Sequence, residues 1–280
     1  MKGVLPIAAA AVWAALCARA AAAPSPAPEA GPCSLESAAP TQVAAVLEDF
    51  DLLLDDGRRA TLVGLDFPGL GAAPAAARER LTALLLGADA FVAAPAAASV
   101  DRWGRAPVQL FIFSQQGGET RALSLAGVLL AEGLARFRPD PAAEACADFF
   151  RAAEEEARAA RRGVWALADY FVVDARAFSV NPVPEALFNK KGMMLVEGFV
   201  FSVNEARGTL YLNFGPRRGR DFSVVIAIRD LANSERFGKF VRSLTGRRVR
   251  VRGLLETSFG PRIAISSPVE IESVDHAAAH

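Results

Sequence analysis

Three arginines alternate with two valines along residues 247–253 (RRVRVRG). In an extended strand successive side chains point to opposite faces, so Arg248, Arg250 and Arg252 share one face while Val249 and Val251 share the other. A valine face belongs in a core; an arginine face belongs in water or against an anion. Arg217, Arg218 and Arg220 form a second basic group, and Phe199, Phe201 and Tyr211 are candidates for stacking on planar rings. Guanidinium groups interleaved with aromatics suit phosphate backbones and nucleobases, the chemistry of single-stranded nucleic-acid binding. The same pattern also arises from a solvated arginine face over a phenylalanine core, and fold alone does not set the ligand. A thiolate–imidazole metal site is not expected, because the two histidines, His276 and His280, lie in the terminal tail.

The elements that must position these residues fall into two units. The chain has 280 residues, enough for two small cores. Its 31 basic and 31 acidic residues cancel, but unevenly: from Ala186 onward there are 15 Lys/Arg against 9 Asp/Glu. An acidic first half and a basic second half suggest two units with different partners. Met1–Ala23 reads as a cleaved signal peptide, with Lys2, an apolar run over Val4–Cys17 and an A-x-A pattern at Ala20–Ala23. The apolar run is shorter than the roughly 20 residues a membrane span needs. No stable membrane insertion is expected after cleavage, and the compartment is periplasmic or secreted. Cleavage leaves Cys33 and Cys146, which in an exported protein suggests one disulfide tying the N-terminal arm to the first unit.

Residues 24–41 are Ala/Pro-rich and read as a disordered linker. Strands are predicted over Val43–Glu48, Asp51–Leu54, Ala60–Asp66, Ala90–Ala94 and Val108–Ser114, with helices over Pro74–Leu86 and Leu123–Ala131. Asp140–Ala166 reads as a third, long amphipathic helix whose acidic run Glu154–Glu156 precedes the basic run Arg158–Arg162. After a connector at 167–190, residues 191–274 give strands at Met193–Asn204, Thr209–Phe214 and Phe222–Ile228. A helix at Arg229–Leu244 and strands at Arg247–Glu256 and Pro261–Ile271 follow. Three strands, a helix and two strands is the order of an OB-fold barrel. Residues 275–280 are a tail.

Three segments occur in the order and spacing of the staphylococcal-nuclease (thermonuclease) family: Asp56–Pro68 (DGRRATLVGLDFP), Asp101–Arg105 (DRWGR) and Ala153–Trp165 (AEEEARAARRGVW). Over roughly Gln42–Ala166 the chain resembles that family. The later part resembles OB-fold nucleic-acid-binding domains of the anticodon-binding type, through Val196–Val203, Tyr211–Gly215 and Arg247–Gly253. The fold class implied is mainly β with α (α+β): a five-stranded nuclease-like barrel with three helices over 42–166, then an OB-fold barrel over 191–274.

The nuclease resemblance implies calcium held by carboxylate oxygen, a carboxylate base and two phosphate-neutralising arginines. The family's first calcium ligand falls on Phe50, its first catalytic arginine on Thr61 and its general base on Gly69. Asp66 and Arg105 keep the second calcium carboxylate and the second arginine, as relics or as residual catalytic groups. Asp51 replaces the lost ligand only if a bulge turns it into the site. Arg102, Trp103 and Arg105 remain able to contact phosphate or a base face. The expectation is therefore an exported pseudoenzyme without cofactor, binding single-stranded nucleic acid or an envelope protein. The alternative is a divergent calcium-dependent phosphodiesterase built on Asp66, Asp51 and Arg105.

Overall fold

The structure is a computed structural model that describes residues 38–69, 71–85, 88, 90–93, 100–116, 119–180, 185–188 and 192–274. The expected signal peptide Met1–Ala23, residues 24–37 of the linker, Cys33 and the tail with His276 and His280 lie outside the described residues. Among the described residues no helix is long and apolar enough to cross a membrane. The architecture is α+β, with sheet predominating.

In the first unit β1 (Ala39–Thr41), a sheet strand at the end of the stretch expected to be disordered, and β2 (Val43–Val46) lead into β3 (Leu52–Leu54), β4 (Arg59–Leu62) and the short β5 (Leu65–Asp66). Helix α1 (Ala73–Leu85), β6 (Ala90–Ala93), β7 (Arg105–Gln116), β8 (Glu119–Ser124), α2 (Leu125–Ala131), β9 (Arg136–Phe137) and α3 (Ala147–Ala159) follow. The sheet runs β1-β6-β7-β4-β3-β2, with β8 added on β7. Alternation sets its inner face: Leu52, Leu54, Ala60 and Leu62 are buried. Helix α1 adds Ala77, Leu81 and Leu85, spaced four apart and so on one side of the helix. Ser124 caps α2, its hydroxyl accepting from the Gly127 N–H at 3.3 Å.

Two expected elements are divided. The strand predicted over Ala60–Asp66 turns at Val63–Gly64, so β5 leaves the main sheet and pairs with β9 instead. The helix predicted over Asp140–Ala166 is a 3-10 turn at Pro141–Cys146, then α3, then a 3-10 turn at Gly163–Ala166. Left-handed backbone at Arg161 (φ 52°) and Gly163 (φ 52°) ends the α-helical run.

The connector holds β10 (Val173–Asp174) and α4 (Glu185–Phe188). The second unit contains β11 (Met193–Phe199), β12 (Ser202–Ala206), β13 (Thr209–Asn213), β14 (Ser223–Ala227), α5 (Ile228–Ala232) and α6 (Glu235–Arg242). It ends with β15 (Arg248–Glu256), β16 (Arg262–Ile265) and β17 (Ile271–Ser273). The strand expected over Met193–Asn204 is divided into β11 and β12, and that over Pro261–Ile271 into β16, a 3-10 turn at Pro268–Glu270 and the start of β17. One helix was expected over Arg229–Leu244. Ser234 breaks it by capping α6, its hydroxyl accepting from the Phe237 N–H at 3.2 Å.

This sheet runs β10-β11-β15-β16-β14-β13-β12, with β17 on β15. Both units use one pairing scheme. Two antiparallel pairings join three consecutive strands (β2-β3-β4 and β12-β13-β14). The third strand pairs in parallel with a later one (β4 with β7, β14 with β16). Two antiparallel pairings then lead back to the strand just before the first (β7-β6-β1 and β16-β15-β11). Among the described residues neither sheet, as paired, closes on itself. Each unit has its own apolar core. A third buried cluster joins them, made of Ala157, Val164, Trp165, Tyr170, Met193 and Leu195.

Candidate functional site

A cleft of about 440 Å³ opens on the first unit, lined among others by Phe50, Asp51, Thr61, Asp66, Gly69 and Arg105. Two local features build it. The first is the tight turn between β2 and β3, in which the Leu47 N–H donates to the Asp51 carbonyl at 2.8 Å and the Phe50 N–H donates to Leu47 at 3.1 Å. Residue 50 therefore lies on a turn and not on a strand, so strand alternation does not decide where Asp51 points. Phe50 adopts φ 67°, left-handed backbone that costs a side-chain-bearing residue about 1–2 kcal/mol. Its ring lies flat on Phe67, with centroids 4.0 Å apart and planes 2° from parallel. The second feature is Gly64, at φ 78°, where a Cβ would come within 2.9 Å of the Phe150 ring. That turn sends β5 toward β9 and sets Asp66 opposite Arg136.

Asp51, Asp66 and Arg105 thus meet in one cleft, but each carboxylate already holds guanidinium. Asp51, with a side chain 2% exposed, accepts from Arg59 Nε at 2.7 Å and from Arg105 Nη1 at 3.5 Å. Asp66 accepts from Arg136 Nε at 3.0 Å and Nη2 at 2.5 Å. Arg59 also pairs with Asp49. Thr61 and Gly69 line the wall without supplying charge. The Gly69 N–H donates to the Tyr170 phenol at 3.1 Å.

Calcium takes six to eight oxygens in roughly this kind of cage, and among the described residues no group of three or more His, Cys, Asp or Glu stands together to offer them. Arg59 and Arg136 supply the positive charge that these carboxylates require. As arranged here, Asp51 and Asp66 are both engaged by fixed guanidiniums.

The Asp101–Arg105 segment is a turn organised by its first residue. One Asp101 carboxylate oxygen accepts from the Trp103 and Arg105 N–H groups, both at 2.9 Å, and the other accepts from Arg105 Nε at 2.8 Å. Burial alone would raise the Asp101 carboxyl, but the Arg105 backbone and guanidinium and the Trp103 N–H hold it below the ordinary carboxylate range. The Asp101 bond in turn raises Arg105. Trp103 is 60% exposed, with the Arg102 guanidinium 4.0 Å and that of Arg105 4.9 Å from its ring centre.

On the second unit the expected arginine face needs correction. Arg248 is exposed and pairs with Glu197 at 2.6 Å, whereas Arg250 and Arg252 are 7% and 2% exposed. Alternation does separate them from Val249 and Val251, but their face is covered by the first unit and by β17. Glu155, Glu197 and Glu272 receive Arg250; Glu154 and Glu272 receive Arg252. Their donors face protein carboxylates and are not offered to a ligand.

Arg217 is tied to Asp221 at 2.6 Å and bonds the Ser179 carbonyl. Arg218 donates to Asn204 Oδ1 at 3.0 Å, and Arg220 is exposed. Tyr211 is half-buried at the centre of β13, in register with Asn204 and Val225. Phe199 and Phe201 are 62% and 58% exposed, not core. Cys146 is buried in the first core; the expected bond to Cys33 involves a residue outside those described.

Arg59, Arg136, Arg138 and Tyr170 at the cleft, and Phe259 and Arg262 on the second unit, were not expected from the sequence. Phe259 is 75% exposed, with the Arg262 guanidinium 5.1 Å from its ring centre. The doublet Arg58-Arg59 was a visible signal beside the Asp56-Gly57 turn. Nothing local marks Tyr170, which comes from the connector. No protein-family model matches this chain, and no curated protein matches it.

Proposed function

We propose that this is an exported binding protein in which a nuclease-shaped first unit has lost catalysis and single-stranded nucleic acid is held on exposed arginine–aromatic surfaces. The observation that carries this reading is the cleft. Arg59 pairs with Asp51 and Arg136 with Asp66, two of the four carboxylates that line it; the Phe50–Phe67 stack stands at the metal-ligand position implied by the nuclease resemblance, and Gly69 supplies no base. Hydrolysis of a phosphodiester by this route needs a cation and a base. Binding needs neither. The shared pairing scheme supports reading both units as OB-type barrels, since it is the strand order 1-2-3-5-4-1 of that fold. The binding surface comprises Arg218, Arg220 and Tyr211, joined by Phe259 and Arg262, with Arg102 and Trp103 as a second patch on the first unit. Planar guanidinium groups and exposed rings suit splayed bases and phosphates.

The second reading is the divergent calcium-dependent phosphodiesterase. It is favoured by one observation: the turn at Leu47–Asp51 does bring Asp51 into the cleft beside Asp66 and Arg105.

Purified mature protein with labelled single- and double-stranded DNA and RNA, in calcium or in chelator, separates the two readings. Retardation of single strands without cleavage, weakening steeply with salt, is the expected result. Calcium-dependent cleavage that vanishes in Arg105→Ala would establish the enzyme. Neither cleavage nor retardation would discard nucleic acid and leave an envelope protein as the partner.

A further inference from the structure

We infer that the second unit is a structural part of the first unit's cleft, holding its Asp66 wall in place through a buried ion pair behind β9 and through the Tyr170 phenol. The inference does not depend on what the cleft binds.

Strand β9 is only two residues long. Its first residue, Arg136, grips Asp66 in the cleft. Its second, Phe137, is held at both backbone groups from behind. The Phe137 N–H donates to Glu154 Oε1 at 2.7 Å, and its carbonyl accepts from Arg252 Nη1 at 3.0 Å. The same Arg252 nitrogen lies 2.8 Å from Glu154 Oε2, and its other terminal nitrogen donates to Glu272 at 3.0 Å. Glu154 belongs to α3 of the first unit; Arg252 and Glu272 belong to the second. A buried ion pair is weak evidence for stability, because desolvating both charges offsets most of their attraction. What this pair does is fix geometry, and the geometry it fixes is the backbone next to Arg136.

The second route is independent. Tyr170 packs in the cluster that includes Met193 and Leu195 of β11. Its hydroxyl accepts from the Gly69 N–H in the cleft wall, and its ring lies 4.9 Å from the Arg136 guanidinium. Arg136 is therefore set from one side by Arg252 acting through Phe137 and from the other by a ring seated on β11. Pulling the units apart would leave the Phe137 carbonyl without its donor and Glu154 without its cation, and would strip Met193 and Leu195 from Tyr170. The Arg136–Asp66 contact would loosen with them. Arg252, Glu154 and Tyr170 act here as positioning residues.

The test is hydrogen exchange on the full mature chain. The double variant Glu154→Gln/Arg252→Met keeps an acceptor for the Phe137 N–H, leaves no uncompensated carboxylate at residue 154 and fills the arginine volume. Roughly tenfold faster exchange at 64–69 and 136–138 is expected, the size of one charge-assisted hydrogen bond lost. Exchange within twofold of wild type in those segments, with β15 alone loosened, would overturn the inference. If that variant unfolds, Asp66→Asn carries the test in the opposite direction, because coupling is reciprocal. Faster exchange at 193–196 supports the inference, and no change there overturns it. Neither readout involves nucleic acid, so failure of the proposed binding function would not be mistaken for failure here.

Discussion

Asp101, Glu155 and Asp221 share one electrostatic situation. Burial alone would raise each carboxyl, but hydrogen bonds and neighbouring guanidiniums, from Arg105, Arg158 and Arg217 respectively, hold each below the ordinary carboxylate range. A depressed folded-state value means that the folded protein binds protons more weakly than the unfolded chain. The resulting stability is complete above the unfolded value of about 4 and is lost as pH falls through the depressed values. Denaturant unfolding is expected to change little between pH 7 and 5 and to weaken sharply toward pH 3. Asp101→Asn keeps an acceptor for the turn but cannot titrate; it is expected to lower stability at pH 7 and to flatten part of the acid dependence. An unchanged acid profile in that variant would remove Asp101 from the account. The DRWGR segment was legible only as a resemblance; its turn, closed by the Gly104 N–H on the Asp101 carbonyl, was not. Nor were the partners of Asp51 and Asp66, because Arg59 and Arg136 reach them only through the β3–β4 and β5–β9 pairings.

At the scale of elements, the seam between α2 and α3 rests on two glycines that touch. Gly163 sits at φ 52°, and a Cβ there would lie 2.1 Å from the Gly133 carbonyl oxygen; one on Gly133 would lie 2.4 Å from the Arg162 carbonyl oxygen. Strain and clash therefore act together, and the atoms to be displaced are backbone. Gly163→Ala is expected to destabilise by roughly 2–4 kcal/mol, from left-handed strain plus an overpacking cost. Chemical denaturation would read it; a loss under about 0.5 kcal/mol, the range of neutral surface changes, would show that the seam can open. The sequence marks Gly133 as a helix stop. It does not show that the two glycines face each other. Nor does hydrophobic periodicity reveal the break in the Asp140–Ala166 run, because the apolar stripe continues past Arg161 while the backbone does not.

At the scale of the whole molecule, the two units share a buried cluster and a buried ion network. We therefore expect a single cooperative unfolding transition seen alike by Trp165 fluorescence and by circular dichroism; two separated transitions would mean that the interface carries little coupling. The proposed Cys33–Cys146 bond would add to this. Peptide mapping without reductant is expected to find it, and reduction is expected to cost at most about 4–5 kcal/mol in the chain-entropy model. Recovery of both thiols free would remove the bond.

What the sequence determined by itself is local: the inward valines of β15, the helical run that starts near Pro74, and the absence of an acid at position 69 and of a guanidinium at position 61. These follow from side-chain chemistry and from the two-residue and near-four-residue periods of strand and helix. Tertiary structure alone decided which arginines meet which carboxylates. Arg250 and Arg252 read as a solvated face because alternation tells sides apart without saying what covers them, and their carboxylates at Glu154 and Glu155 lie nearly a hundred residues away. Asp51 entered the cleft because a turn, not a bulged strand, carries Phe50. Pairing of opposite charges over such separations is set by the docking of whole elements, a many-body outcome that no local pattern encodes.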